Sequence, residues 1–267
     1  MCGIVGAVCN RDVFGILIEG LKRLEYRGYD SAGLSLIDAN SCLNTQKTIG
    51  RVADLEDLFN GEIPNGGLGI AHTRWATHGV PSSANSHPHT SGSISVVHNG
   101  IIENHNLLKK ELRDRGATLS SETDSEVIAH LIEFYSSETG SLKEAVNKTL
   151  SRLEGAYAIC VISKHYPDKM IGARSGSPLV IGLGIGEHFM ASDQMALRQV
   201  TDRFIYLEEG DVAEVSKNEI SVFDDNGELV EREINQIHES DLLSEKGEYK
   251  HFMLKEIYEQ PQSILDS

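Results

Sequence analysis

The chain has 267 residues, 40% of them apolar, and its 40 acidic against 24 basic residues give a formal net charge of −16. That length and apolar fraction suffice for a sizeable core and exclude a disordered or fibrous chain. A balance this acidic argues against a nucleic-acid or anionic-membrane partner, since both need a basic face.

The first residues are apolar but lack a basic flank and are broken by glycines. They read as a strand over Gly3–Val8 rather than a signal peptide. Cys2 follows Met1 directly, and a side chain this small permits removal of the initiator. Removal leaves a cysteine with a free α-amine, whose pKa lies close below that of the thiol. The amine can then take the thiol proton without a separate histidine. The competing reading makes Cys2 a small apolar residue at a strand start. Four cysteines (Cys2, Cys9, Cys42, Cys160) show no CxxC spacing and are too few for a disulfide scaffold, which points to a reducing, cytoplasmic compartment. No stretch approaches the roughly 18 apolar residues of a membrane-spanning helix.

Phe14, Leu17, Ile18, Leu21 and Leu24 recur at helical spacing. A loop dense in Gly and Asp, Arg27-Gly-Tyr-Asp-Ser-Ala-Gly33, leads into a strand over Ala32–Ile37. The next strand, Leu68–Thr73, runs into His72-Thr-Arg-Trp-Ala-Thr-His-Gly79, read as a loop. It holds a guanidinium fork suited to a carboxylate (Arg74), the only tryptophan (Trp75) and the hydroxyls of Thr73 and Thr77. The bland alternative makes Trp75 core and Arg74 a surface ion pair. His72, His78, His87, His89, His98 and His105 cluster in this third of the chain. No HExxH or Cys/His pairing accompanies them, so neither a metal nor a cofactor is assigned.

A strand over Ser93–His98 ends at Asn99-Gly100. A turn there can aim a side-chain amide and a backbone N–H at one point, the two donors an oxyanion needs, although Asn-Gly is commonly just a turn. After a short helix over Leu107–Leu112, Thr123-Asp-Ser-Glu126 reads as a capping box, with Asp124 at the first helical position. The helix it opens carries Val127, Ile128, Leu131, Ile132 and Tyr135 on one face. A further helix covers Leu142–Leu153. Strands follow at Tyr157–Ser163, Met170–Ala173, Leu179–Leu183, Phe204–Leu207, Val212–Val215, Ile220–Phe223 and Leu229–Ile234. Asp225-Asn-Gly227 marks a hairpin between the last two. Gly182-Leu-Gly-Ile-Gly186 lacks phosphate-loop spacing and reads as a turn. Continuous apolar runs such as Ile159-Cys-Val-Ile162 suit strands covered on both faces. Helices and strands do not alternate, which favours an α+β sandwich of stacked sheets over a doubly wound parallel sheet. The polar segment 246–261 reads as a connector, with a docked terminal helix as the alternative.

Cys2-Gly-Ile-Val-Gly6, Tyr26-Arg-Gly-Tyr-Asp-Ser-Ala-Gly33, His72-Thr-Arg-Trp-Ala-Thr-His-Gly79, His98-Asn-Gly100 and Thr123-Asp-Ser-Glu126 occur in this order. Together they resemble the class II, N-terminal nucleophile glutamine amidotransferases, and most closely the branch whose acceptor is fructose 6-phosphate. The resemblance implies a four-layer αββα sandwich of two stacked, largely antiparallel sheets, of the Ntn-hydrolase type. It implies a glutaminase domain over 1–240 and a linker over 241–267 toward sugar-isomerase domains outside the chain. Cys2 is then the nucleophile with its own amine as base, Asn99 and the Gly100 N–H form the oxyanion hole, and Arg27 lies near the nucleophile. Arg74 is expected to bind the glutamine α-carboxylate and Asp124 the α-ammonium, with Thr77 and His78 completing the pocket and Trp75 gating ammonia. The implied partners are L-glutamine and, through the isomerase domains, fructose 6-phosphate, in a homo-oligomeric full-length enzyme. Three alternatives remain: another amidotransferase branch with a different acceptor, a non-catalytic glutamine-binding domain, and a papain-like or metal-dependent hydrolase using the histidines.

Overall fold

The computed structural model describes residues 2–59, 65–75 and 79–237, with Leu254, Ile257, Tyr258 and Gln260. The chain divides into two units, residues 1–235 and 236–267. In the second, the four described residues beyond 237 are helical and exposed, with Leu254, Ile257 and Tyr258 at helical spacing. Most of the segment expected to be a linker lies outside the described residues.

The first unit is built on two sheets. One has eight strands in the order β15 (Ile234–Gln236), β11 (Arg203–Tyr206), β9 (Val180–Leu183), β10 (Glu187–Ala191), β1 (Gly3–Cys9), β4 (Leu68–Arg74), β2 (Ser31–Ile37) and β3 (Leu43–Ile49). The other has seven, in the order β14 (Leu229–Val230), β13 (Ile220–Phe223), β12 (Val212–Ser216), β8 (Tyr166–Ser175), β7 (Gly155–Ser163), β6 (Ile94–Ile102) and β5 (His89–Ser91). β1 pairs antiparallel with both β10 and β4, and β7 with both β6 and β8.

Side-chain alternation explains the continuous apolar runs. Cys160 and Ile162 of β7 join Ile4, Ile70, Met170 and Met190 in the core between the sheets. Their neighbours Ile159 and Val161 face the opposite way, toward Val127, Ile128 and Leu131. That outer face is covered by α3 (His105–Asp114), α4 (Glu126–Ser136) and α5 (Leu142–Leu150). On the far side, α1 (Phe14–Leu24) buries its apolar stripe on β1 and β4, and short α2 (Val52–Asp57) lies against β2 and β3. The result is the expected helix–sheet–sheet–helix sandwich.

Several local expectations change. β3, β5, β10 and α2 were not anticipated. β3, Leu-Asn-Thr-Gln-Lys-Thr-Ile, is a polar edge strand, so no apolar alternation marks it. The strand expected over Leu229–Ile234 splits into β14 and β15. Between them Arg232 donates to both oxygens of the fully buried Asp211, at 2.8 and 2.9 Å. Asn99-Gly100 does not end its strand, because β6 continues to Ile102 and pairs Gly100 with Tyr157. In the hairpin after β13 only Gly227 takes a positive φ, 79°. Among the described residues, no helix is long and apolar enough to cross a membrane.

Candidate active site

The pairing of Gly3 with Thr73 brings the start of β1 beside the end of β4, so Cys2 lies next to Arg74 and Trp75. His72, Thr73 and Arg74 are therefore strand residues, and the loop begins only at Trp75. The thiol is held by backbone: the Trp75 N–H donates to Cys2 Sγ at 3.2 Å, and the Trp75 carbonyl lies 3.5 Å away. From the second sheet β6 supplies Asn99, whose Nδ2 donates to the Cys2 carbonyl at 3.0 Å. Residues from both sheets thus meet at one end of the sandwich, around a cavity of about 550 Å³.

Cys2, Arg27, Arg74, Trp75, Asn99, Gly100 and Asp124, all anticipated from the sequence, line this cavity. Thr77 and His78 lie outside the described residues. Arg74 is only 4% exposed; its Nη2 donates to the Gly79 carbonyl at 3.1 Å, and its Nη1 stands 3.7 Å from Asp30. Arg27 is paired with Asp193 and donates to the Tyr26 hydroxyl at 3.0 Å. The Trp75 side chain is 53% exposed, and a Cβ on Gly28, whose φ is 94°, would overlap its ring. Gly100 has φ 135° within the strand, and a Cβ there would overlap the Ala156 carbonyl oxygen, so only glycine fits. That φ turns the peptide away from regular strand geometry beside Asn99.

Asp124 is not the first residue of a helix. α4 starts at Glu126, and its N-cap residue Ser125 makes no side-chain capping bond. The capping box fails because Glu126 reaches further back. One of its oxygens accepts from the Ser120 N–H and hydroxyl at 2.8 Å, the other from the Ser121 N–H at 2.7 Å and hydroxyl at 2.8 Å. This clamp shapes the segment before the helix, on which Asp124 accepts the Ile102 N–H at 2.7 Å. Burial alone would raise Glu126, but these bonds, with His130 at 3.8 Å, outweigh it and hold the carboxyl well below its usual range.

Burial also raises the Cys2 thiol, and the Trp75 N–H and the nearby Arg74 charge only partly oppose this. The site therefore holds a protonated thiol that needs a base. Four histidines, His72, His87, His89 and His98, lie buried nearby, and His87 and His98 line the same cavity. His72 and His87 stack with ring centroids 4.2 Å apart, and His87 meets His89 edge to face at 4.6 Å. Burial pushes His72 down to about 3 and lowers His87, His89 and His98 as well, so all four rings are neutral. Among the described residues, no three His, Cys, Asp or Glu side chains converge to hold a metal. Reasoning from sequence missed the Glu126 clamp and the Trp75 backbone. It also missed His72 Nε2, 3.0 Å from Asn99 Oδ1. His72 stood within a quoted motif, but only the stacking of the two sheets brings it, on β4, to Asn99 on β6.

The profile of the glutamine amidotransferase domain family matches residues 72–199. Over all 267 residues the chain is 56% identical to the glutamine–fructose-6-phosphate aminotransferase (isomerizing) of Vibrio vulnificus, strain CMCP6, spanning 44% of that protein. It is 56% identical over 265 residues, 99% of the chain and 43% of the relative, to the protein of the same name from Pseudomonas putida. The chain thus spans less than half the length of the curated relatives it matches. A glutamine phosphoribosylpyrophosphate amidotransferase from B. subtilis superposes with a TM-score of 0.68 at 27% identity, covering 89% of this chain and 50% of that one. A glutamine aminotransferase class-II domain protein from Silicibacter pomeroyi shares the fold, with a TM-score of 0.56 at 15% identity over 84% of this chain and 99% of its own.

Proposed function

We propose that the chain belongs to the class II glutamine amidotransferases and that it hydrolyses L-glutamine to glutamate and ammonia through a thioester on Cys2. One observation carries the reading: the Cys2 thiol opens into the same cavity as a buried guanidinium, a buried carboxylate and the Asn99 amide. The glutamine head group is a zwitterion, so its selective capture requires one fixed cation and one fixed anion. Arg74 binds the α-carboxylate and Asp124 the α-ammonium. Thr77 and His78 complete this end of the pocket, and Arg27 holds the loop facing the nucleophile.

The reaction starts once Met1 is removed. The free amine of Cys2 takes the thiol proton, and Sγ attacks the side-chain amide carbon of glutamine. The negative oxygen that forms accepts from Asn99 Nδ2 and the Gly100 N–H, each donor stabilising the transition state by about 3–4 kcal/mol. The α-ammonium of Cys2 returns the proton to the departing nitrogen, releasing ammonia and leaving the γ-glutamyl thioester. The amine then accepts a proton from water as it attacks the thioester, and glutamate leaves with the thiol restored. Trp75, which lines the cavity and is half exposed, gates the ammonia. In the whole protein, proposed to be a cytoplasmic homo-oligomer, the ammonia converts fructose 6-phosphate to glucosamine 6-phosphate, and residues 241–267 link the two activities.

Ammonia release from glutamine, followed with intact mass, tests this. The processed chain releases ammonia and glutamate in equal amounts and forms no amino sugar when fructose 6-phosphate is added. Cys2→Ala, and a homogeneous Met1-retaining form, stay folded and release none. Turnover by either would overturn the proposed nucleophile and base.

A further inference from the structure

We infer that His72 is a positioning residue for this reaction: its Nε2–H fixes the orientation of the Asn99 side-chain amide, and so aims Nδ2 at the oxyanion. The inference rests on the glutaminase reading above. An asparagine amide can sit in either of two flipped orientations, and only one offers a donor to the developing negative charge.

The surroundings select that orientation. The Cys2 carbonyl can only accept, so the Asn99 atom 3.0 Å from it is Nδ2. Oδ1 then faces His72 Nε2 at 3.0 Å. The same ring nitrogen stands 3.2 Å from the His98 carbonyl. Both neighbours of Nε2 are pure acceptors, so Nε2 carries the proton and His72 is the Nε2–H tautomer. Its Nδ1 is a bare lone pair, consistent with its being buried without a hydrogen-bond partner among the described residues. The ring plane is itself held: His87 stacks on it at an interplanar angle of 26°, and His87 Nδ1 accepts the His98 N–H at 3.3 Å. Burial keeps His72 neutral, so this arrangement does not change across the working pH range.

The amide therefore has two anchors, the Cys2 carbonyl on nitrogen and His72 on oxygen. One Nδ2 hydrogen goes to Cys2, and the second remains for the oxyanion. Without His72 a single bond remains, about which the amide pivots, and the second hydrogen loses its aim. Because His72 does not line the cavity, this defect falls on the transition state rather than on glutamine binding.

The test compares glutamine with asparagine at position 72. A glutamine amide reaches as far as imidazole Nε2, whereas an asparagine amide reaches only as far as Nδ1. His72→Asn is expected to lower kcat for glutamine hydrolysis about 10–100-fold while KM stays within about 3-fold, and His72→Gln to keep kcat within about 3-fold of the parent. In an Asn99→Ala background, His72→Asn should have no further effect on kcat. Thermal unfolding is recorded for every variant. Equal kcat for the asparagine variant and the parent, or a KM rise that accounts for the loss, would overturn the inference. So would a folded His72→Gln that loses kcat as deeply as Asn99→Ala, even if His72→Asn cannot be purified. Absence of turnover in the processed parent would instead overturn the glutaminase reading, and the inference with it.

Discussion

Cys2 shows how much a residue's chemistry depends on its neighbours. Its Sγ accepts the Trp75 N–H, a contact that favours thiolate, yet burial dominates and keeps the sulfur protonated. Reactivity then requires a proton acceptor within reach, which is why an amine on the same residue matters. Asp124 offers a cleaner test of recognition. Asp124→Asn retains an oxygen to accept the Ile102 N–H, so the loop keeps its anchor while the negative charge disappears. The variant is expected to raise the glutamine KM about 10–100-fold, the range for losing one charge-assisted contact, with an unchanged unfolding temperature. Steady-state kinetics with glutamine check this, and an unchanged KM would remove Asp124 from the pocket. These residues were legible because their side chains are chemically unusual where they stand. The backbone donor of Trp75 was not, since every residue but proline has an N–H and only geometry decides where it points.

Elements position these groups through a few polar clamps. The segment between α3 and α4 has little apolar content, and its shape depends on four hydrogen bonds to the Glu126 carboxylate. Glu126→Gln is expected to lower unfolding stability by about 1–3 kcal/mol at pH 7. The pH dependence has a definite sign. The carboxyl titrates below its ordinary value of 4.5 in the folded protein, so its contribution is complete above that pH. It is lost as pH falls through the folded value. Urea unfolding of parent and variant should therefore show a constant gap between pH 7 and 5 that narrows below about 4.5. A gap that widens in acid would contradict the clamp. The Thr-x-x-Glu spacing is visible in the sequence and belongs equally to a capping box. Nothing local distinguishes a glutamate that reaches back three residues from one that reaches back five or six.

At the scale of the whole molecule, the stacking of two sheets encloses polar groups along with apolar ones. His72, His87, His89 and His98 are neutral when folded and take up protons once the chain unfolds. The unfolded state binds more protons, so stability rises with pH through this range and falls on acidification below about 6.5, by up to about 1.4 kcal/mol per pH unit for each ring. Urea midpoints measured from pH 8 to 5 should be nearly level above 7.5 and drop steeply below 6.5. His87→Phe should shallow that slope by about one proton. A flat profile down to pH 5 would mean that these rings are not held neutral. The sequence by itself determined the layered α+β architecture, the main strands and helices, and which side chains carry distinctive chemistry, because apolar periodicity and residue type are local properties. Tertiary structure alone decided that Asn99-Gly100 lies within a strand, that Glu126 clamps a loop, and that the rings of His72, His87, His89 and His98 are buried together. Such contacts join residues as much as 97 positions apart, as Cys2 and Asn99 are, and only the stacking of the sheet that holds β1 and β4 on the sheet that holds β6 brings their atoms within hydrogen-bond reach.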